Sequence, residues 1–540
     1  MSALKLSKES IKEAYGWKEV GIELPKFDYE EMSEKTSSNP TWIHFGSGNI
    51  FRGFIAMLQQ KLLNDGKAAT GIIAAEGYDY EIIDRIYTRY DNLSLLVIMK
   101  PDGSLEKTVV GSIAESLAAD FQREREWERL KEIFKKPSLQ IASFTITEKG
   151  YALKNISDEY FPFVKEDMAA GPDKPKGIMA KVAALAYIRY KNGELPIAFV
   201  SMDNCSKNGE KLQNSVLSIA ESWAASSFVE NEFIAYLKNP EKVSFPWSMI
   251  DKITPRPSDS VKETIEKLGF ESTEIVCTKA HTYIAPFVNA EGPQYLVIED
   301  SFPNGRMPLE EAGVFLTDRA TVQKVETMKV TTCLNPLHTA LAVFGCLLGY
   351  KSIAEEMKDP MLKKLVEEIG YTEGMPVVVN PEILKPEEFI REVIEVRLPN
   401  PYIPDTPQRI ASDTSQKVGI RFGETIKAYA KSQSLDARKL KYIPLAIAGW
   451  CRYLMGLADS GEPMELSPDP LLKFLTAYVS HIKLGEKTSF KDNLKPILSK
   501  EEIFGVNLYD LGLGEKIEGY FSEMIAGNGA VRATLEKYLK

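Results

Sequence analysis

The stretch Thr41-Trp42-Ile43-His44-Phe45-Gly46-Ser47-Gly48-Asn49-Ile50-Phe51-Arg52-Gly53 decides the fold. Five residues of buried-strand character run into a glycine turn, and 54–65 continues as a helix. A second strand follows at 70–75 and ends at Glu76. Strand, glycine turn, helix, strand and acid is the order of a dinucleotide-binding βαβ unit. Gly46, Ser47, Gly48, Asn49 and Ile50 form the cofactor turn. Gly46 permits the tight bend, and Gly48 lets a pyrophosphate approach the backbone at the helix N-terminus. Glu76 is placed to accept hydrogen bonds from an adenosine ribose and to repel a 2′-phosphate, which selects NAD over NADP. Phe51 stands where that fingerprint has its third glycine. A GxG pair alone also reads as a plain turn. The strand before it and the acid after it favour the cofactor.

Further strands are expected at 93–99, 139–145, 197–202 and 275–278, with helices such as 176–191 between them. The alternation implies an α/β fold, a Rossmann-like doubly wound sheet. Three strand exits carry polar groups: Thr147-Glu148-Lys149-Gly150-Tyr151, Asp203-Asn204 and Asp251-Lys252-Ile253-Thr254-Pro255. Ligands of such sheets bind outside the carboxyl ends of the strands. Each exit taken singly also reads as a turn. A last strand at 294–299 precedes a boundary expected at 305. The chain then divides into an arm, 1–40, a dinucleotide-binding domain, 41–305, and a mainly α-helical substrate domain, 306–540. Helices are expected there at 314–327, 339–350, 352–358, 360–368, 386–396, 416–430, 443–458, 471–480 and 514–538. Tyr187-Ile188-Arg189-Tyr190-Lys191 fits a YxxxK pattern but lacks an upstream serine partner, and reads as the polar end of a helix.

The totals agree with two domains, because 540 residues exceed what one core holds. A net charge of -10 excludes a nucleic-acid binder, yet leaves room for an anionic small substrate in a locally basic pocket. No apolar run reaches ~18 residues, so no membrane partner is expected. Residues 1–18 are charged throughout, unlike a signal peptide. Five widely spaced cysteines point to free thiols and a cytoplasmic setting. With four histidines and no CxxC or HExxH, no metal is expected.

The chemistry concentrates in Met328-Lys329-Val330-Thr331-Thr332-Cys333-Leu334-Asn335-Pro336-Leu337-His338-Thr339. Asn335-Pro336 reads as a helix start, an N-cap amide followed by proline at the first helical position. His338 lies three residues on, beside Asn335. Lys329 falls on another face if the helix is unbroken, so it must come from the segment leading in. Oxidising a secondary alcohol needs a base for the hydroxyl proton while hydride leaves carbon, and a desolvated lysine serves without metal. Amides such as Asn335 and Asn204 stabilise a developing alkoxide, and a neutral His338 hydrogen-bonds substrate. The same residues also read as a cap, a packed histidine and a solvated lysine.

The chain resembles the polyol-specific long-chain (mannitol) dehydrogenase family, which includes mannitol 2-dehydrogenase, arabinitol dehydrogenase and the fructuronate and tagaturonate reductases. The resemblance rests on the turn 45–53, Thr145-Ile146-Thr147-Glu148-Lys149-Gly150-Tyr151, Ser201-Met202-Asp203-Asn204 with Asn208-Gly209, Asp251-Lys252-Ile253-Thr254-Pro255, and Arg397-Leu398-Pro399-Asn400-Pro401 leading to Asp413-Thr414-Ser415-Gln416-Lys417. It implies Lys329 as general base, Asn204 and Asn335 as the pair holding the substrate oxygen, His338 beside them, Asp251 and Arg397 in the substrate pocket, and Glu326 on the proton path; Arg397, Arg409 and Lys417 are the candidates to bind substrate by pairing with a carboxylate. Five residues separate Lys329 from Asn335 where the family has four, Pro336 replaces its glycine, and Leu398 its phenylalanine. The resemblance implies an NAD-dependent reductase of a sugar acid or polyol, D-fructuronate to D-mannonate first. Its alternatives are tagaturonate reductase, a mannitol- or arabinitol-type 2-dehydrogenase, and a non-catalytic NAD(H)-binding regulator. A monomer or homodimer is expected.

Overall fold

The computed structural model describes residues 4–155, 157–486 and 490–540, so the first three residues of the expected arm lie outside it. The chain forms two compact units, Met1–Gln323 and Lys324–Lys540.

In the first unit, six strands make a parallel sheet: β1 (Trp42–Phe45), β2 (Ile72–Glu76), β3 (Ile113–Ala118), β4 (Ile141–Phe144), β5 (Ile197–Ser201) and β6 (Val243–Ser244). Their order, β3-β2-β1-β4-β5-β6, is that of a doubly wound Rossmann sheet. The reversal falls between β1 and β4, where Trp42 pairs with Ile141 and Phe45 with Phe144. Strands covered on both faces alternate between two cores. Ile43 and Phe45 pack with Phe144, Phe199 and the helix α2 (Ile178–Lys191), while Trp42, Ile72 and Ala74 pack on the other face with α1 (Ala56–Asn64). The YxxxK segment is the surface end of α2, where Tyr187 and Lys191 both reach Glu230.

Several expectations change. The strand expected at 93–99 forms, but in a separate four-stranded sheet with Ile22–Glu23, Leu105–Val110 and Phe287–Ala290. Its side chains Leu95 and Val97 share a core with Trp17, Tyr29 and Phe270, so the arm is built into this unit through helices Ala14–Glu19 and Tyr29–Ser38. The strand expected at 275–278 is half of a hairpin, Val276–Cys277 with Tyr283–Ile284. The helix expected at 314–327 begins late. Gly313, at φ +98°, ends a 3-10 turn, and Phe315–Thr317 pairs parallel with Tyr295–Glu299. Asp318 then caps the helical start by accepting from the Thr321 N–H.

The second unit is helical. Beyond α3 (Arg319–Met328), which carries the boundary, its core helix is α4 (Asn335–Leu348), packed against α5 (Tyr442–Tyr453); Gly449 lets α5 approach the Phe344 ring. The helix expected at 514–538 is two, Gly514–Met524 and Ala530–Leu539, parted by Gly527 and Gly529. The helical run Arg319–Leu348 is, against expectation, long and apolar enough to cross a membrane, but 72% of its apolar window is buried inside the protein, as in a core helix.

One acid in this core has no compensation. Glu356 is fully buried, and among the described residues neither carboxylate oxygen has a hydrogen-bond partner. Burial, with Asp359 second, raises its pKa from 4.5 to about 9. The folded protein therefore holds a proton that the unfolded chain releases. The resulting stability is present below pH 4.5 and is lost as pH rises through about 9. Glu356→Gln is expected to flatten that decline. Thermal melts of both proteins across this pH range check it, and parallel curves would show that Glu356 ionises without cost.

Candidate active site

The glycine turn leaves β1 at the switch point. Gly46 sits at φ +105°, and a Cβ there would collide with the Thr145 carbonyl of the β4 exit. A Cβ at Gly48 would meet nothing within 4 Å. The turn is fixed from below by a relay of side chains. Trp42 Nε1 donates to Ser143 Oγ at 2.6 Å, so the Ser143 hydroxyl proton is free to go to His44 Nδ1, also at 2.6 Å. His44 Nε2–H then donates to Thr145 Oγ1 at 2.8 Å, and Thr145 donates to the Gly46 carbonyl at 3.1 Å. This assignment makes His44 the neutral Nε2–H tautomer, and burial pushes its pKa down to about 3. Phe51, in place of a third glycine, stacks on His44 with ring centroids 4.2 Å apart. The close approach falls instead to Gly53, where a Cβ would lie 2.9 Å from Val288 Cγ1. Buried Arg52 donates to Asn49 Oδ1 at 2.8 Å and to the Ala285 carbonyl at 2.7 Å, holding the turn at Asn49.

Glu76 ends β2 with its carboxylate turned onto this turn. Its Oε2 accepts from the Ser47 N–H at 2.8 Å, and Oε1 from Tyr78 and Asp79 at 2.9 and 3.2 Å. Burial raises its pKa, and the three backbone donors oppose that rise. Lys181 of α2, which no motif singled out, donates to the Gly77 carbonyl at 2.9 Å, and burial lowers its pKa to about 8.

At the β5 exit, Tyr151 and Ser201 both donate to Asp203 Oδ2, and burial raises the Asp203 pKa. Asn204 follows, exposed, while Asn208 binds the Asp203 and Ser248 carbonyls and so ties this exit to the strand Ser248–Asp251. Asp251 is buried at the end of that strand.

The second unit carries the remaining candidates. Lys329 opens a π-turn, Lys329–Cys333, between α3 and α4. The Leu334 N–H bonds the Lys329 carbonyl five residues back at 3.1 Å, and the His338 N–H bonds the Leu334 carbonyl at 3.1 Å. The run Arg319–Leu348 is thus helical almost throughout, and Asn335 is not the N-cap. It is the first residue of α4, and Leu334 stands at the cap with no side-chain bond. The π-turn holds one residue more than an α-turn, which is how the helix carries five residues between Lys329 and Asn335. Lys329, Glu326 and Asn335 are half-buried.

His338 is mostly enclosed, with Nε2 3.4 Å from Asp405 Oδ2 but outside hydrogen-bond geometry. Burial lowers its pKa to about 4; Asp405 opposes this, and Arg421, Arg409 and Arg397 add to it. Arg397 and Arg421 also stand in π-turns, Val393–Arg397 and Gly419–Gly423. Lys417 donates to the Ser412 carbonyl at 2.5 Å, and burial lowers its pKa. Arg421 was missed in the sequence, since its place beside α4 comes from a segment 82 residues away.

Residues 40–311 match the mannitol dehydrogenase Rossmann domain and 321–524 the mannitol dehydrogenase C-terminal domain. The chain belongs to the mannitol dehydrogenase family. Within this family it is 60% identical to D-mannonate oxidoreductase of Thermotoga maritima over 536 residues, 99% of each chain. It is 26% identical to D-mannonate oxidoreductase of Escherichia coli, covering 90% of this chain and 92% of that one. The mannitol 2-dehydrogenase of Pseudomonas fluorescens, solved as a ternary complex with NAD and D-mannitol, is 25% identical with a TM-score of 0.70, covering 99% of each chain. A substrate-free D-sorbitol dehydrogenase shares the fold, with a TM-score of 0.78 at 23% identity over 95% of this chain and 97% of that one.

Burial that lowers the His338 pKa to about 4 leaves the ring neutral near pH 7. A histidine-selective NMR titration is expected to place its inflection near pH 4. An inflection near the ordinary value of ~6.5 would show the ring hydrated and the surrounding cations distant.

Proposed function

We propose that this chain interconverts D-fructuronate and D-mannonate, reducing the keto acid with NADH. The observation that carries the substrate is the 60% identity to the Thermotoga maritima D-mannonate oxidoreductase across 99% of both chains. The chain is an NAD-dependent dehydrogenase acting on CH–OH groups. The cofactor fits the residues present: Gly46 is walled by Thr145, Gly48 is open, and the turn lies at the switch point of the sheet. Gly46, Ser47, Gly48, Asn49 and Ile50 would hold its pyrophosphate, and Glu76, which orders that turn through the Ser47 N–H, would accept from the adenosine ribose. Bound there, NADH supplies the hydride.

The proton is the task of the second unit. In our reading Lys329 gives it to the substrate oxygen during reduction and takes it back during oxidation. The carboxamides of Asn335 and Asn204 hold that oxygen as charge develops on it. Neutral His338 adds one hydrogen bond without competing for the proton, and Glu326 leads protons to the lysine. Asp251, Arg397 and Lys417 hold the rest of the substrate. The functional division we adopt is an arm at 1–40, cofactor residues within 41–305 and substrate residues within 306–540. We place the enzyme in the cytoplasm as a monomer or homodimer without metal, nucleic-acid or membrane partners.

Steady-state assays with NADH are expected to show turnover of D-fructuronate above tagaturonate and fructose. Turnover of fructose alone would remove the acid reading. Lys329→Ala is expected to keep NADH binding and lower kcat by about 10²- to 10⁴-fold. Unchanged turnover would take the proton from Lys329 and give it to another group.

A further inference from the structure

Cations gather around His338: Arg397, Arg409 and Arg421, with Lys417 close to the last two. Their charges are not equally committed. Arg409 is paired with Asp405. Lys417 is bonded to the Ser412 carbonyl and feels Asp413 and Asp469. Arg397 is buried and has partners of its own. Arg421 differs. Its Nη1 donates to Thr339 Oγ1 at 2.6 Å, and among the described residues no carboxylate pairs with it. Burial lowers its pKa to about 10, with no anion opposing.

A sequestered cation without a counter-ion is costly, and structures keep one where a ligand supplies the missing charge. Orientation is provided. Thr339, which accepts from Arg421, donates its own hydroxyl to the Asn335 carbonyl at 2.9 Å. The guanidinium is thereby tied to the turn of α4 that carries Asn335 and His338. One of its five N–H donors is spent on Thr339, leaving a planar edge suited to two carboxylate oxygens. A neutral polyol offers no charge to this edge, whereas a sugar acid does.

We propose that Arg421 binds the carboxylate of the substrate and sets the preference for a sugar acid over a neutral ketose. The assignment rests on the acid reading above, and it moves that role away from Arg397, Arg409 and Lys417, which already have partners.

The test is NADH-linked kinetics of the full chain with D-fructuronate and D-fructose. Arg421→Gln is expected to raise KM for fructuronate about 100-fold while kcat falls far less, because the carboxylate is held equally in ground and transition states. Arg421→Lys, which keeps the charge and loses the fork, is expected to fall between. Thr339→Val removes only the orienting bond, is expected to raise the same KM about tenfold, and decides the matter if the Arg421 variants do not fold. A fructuronate KM within about twofold of wild type in Arg421→Gln, or in Thr339→Val where that variant decides, overturns the assignment. A wild type that reduces fructose and not fructuronate overturns the acid reading and the assignment with it, before any variant is made.

Discussion

The first unit depends on one close approach. The Gly46 backbone passes the Thr145 carbonyl at a distance that leaves no room for a side chain. The β1 and β4 strands are paired in register up to that point, so the contact sets where the sheet opens at its switch point. The helix that follows, the Arg52 side chain and the Glu76 carboxylate are all arranged about the backbone so placed. The fixed tautomer of His44 adds direction. Every donor in the relay already has an acceptor, so none competes for a ligand above the turn.

The second unit manages charge instead of backbone. Its core is closed by apolar helices, yet it keeps a protonated acid at Glu356, a neutral imidazole at His338 and a cluster of cations beside it. The first two lose their charge to burial. The guanidinium groups do not, since arginine stays protonated even at a lowered pKa. These guanidinium charges persist beside His338 in a chain whose net charge is -10.

Much of the first unit was legible because its strands are apolar on both faces and its turns are marked by glycine. The pattern at 41–76 was enough to read β1, α1 and β2. The strands Leu105–Val110 and Ile113–Ala118 were not read, because each carries charged or polar residues that half-exposed strands accept and sequence patterns discount. The arm was underestimated since its buried groups, Trp17 and Met32 among them, are scattered and have partners far along the chain. At the candidate site the residue types were visible but not their surroundings. Asn335 looked like a cap because the π-turn Lys329–Cys333, which joins α4 to the helix upstream, was not visible as helix. The isolation of Arg421 could not be read, because a missing counter-ion is a property of the folded surroundings.

Three side chains named above, Lys329, Arg397 and Arg421, stand in π-turns. Such a turn is an α-helix with one residue added. Deleting that residue restores ordinary helix and swings what lies on one side by roughly 100° relative to the other. Side-chain positions here can therefore diverge between relatives through length as well as through substitution. A chain built this way can re-aim a lysine or an arginine by a single residue gained or lost while keeping the residue itself.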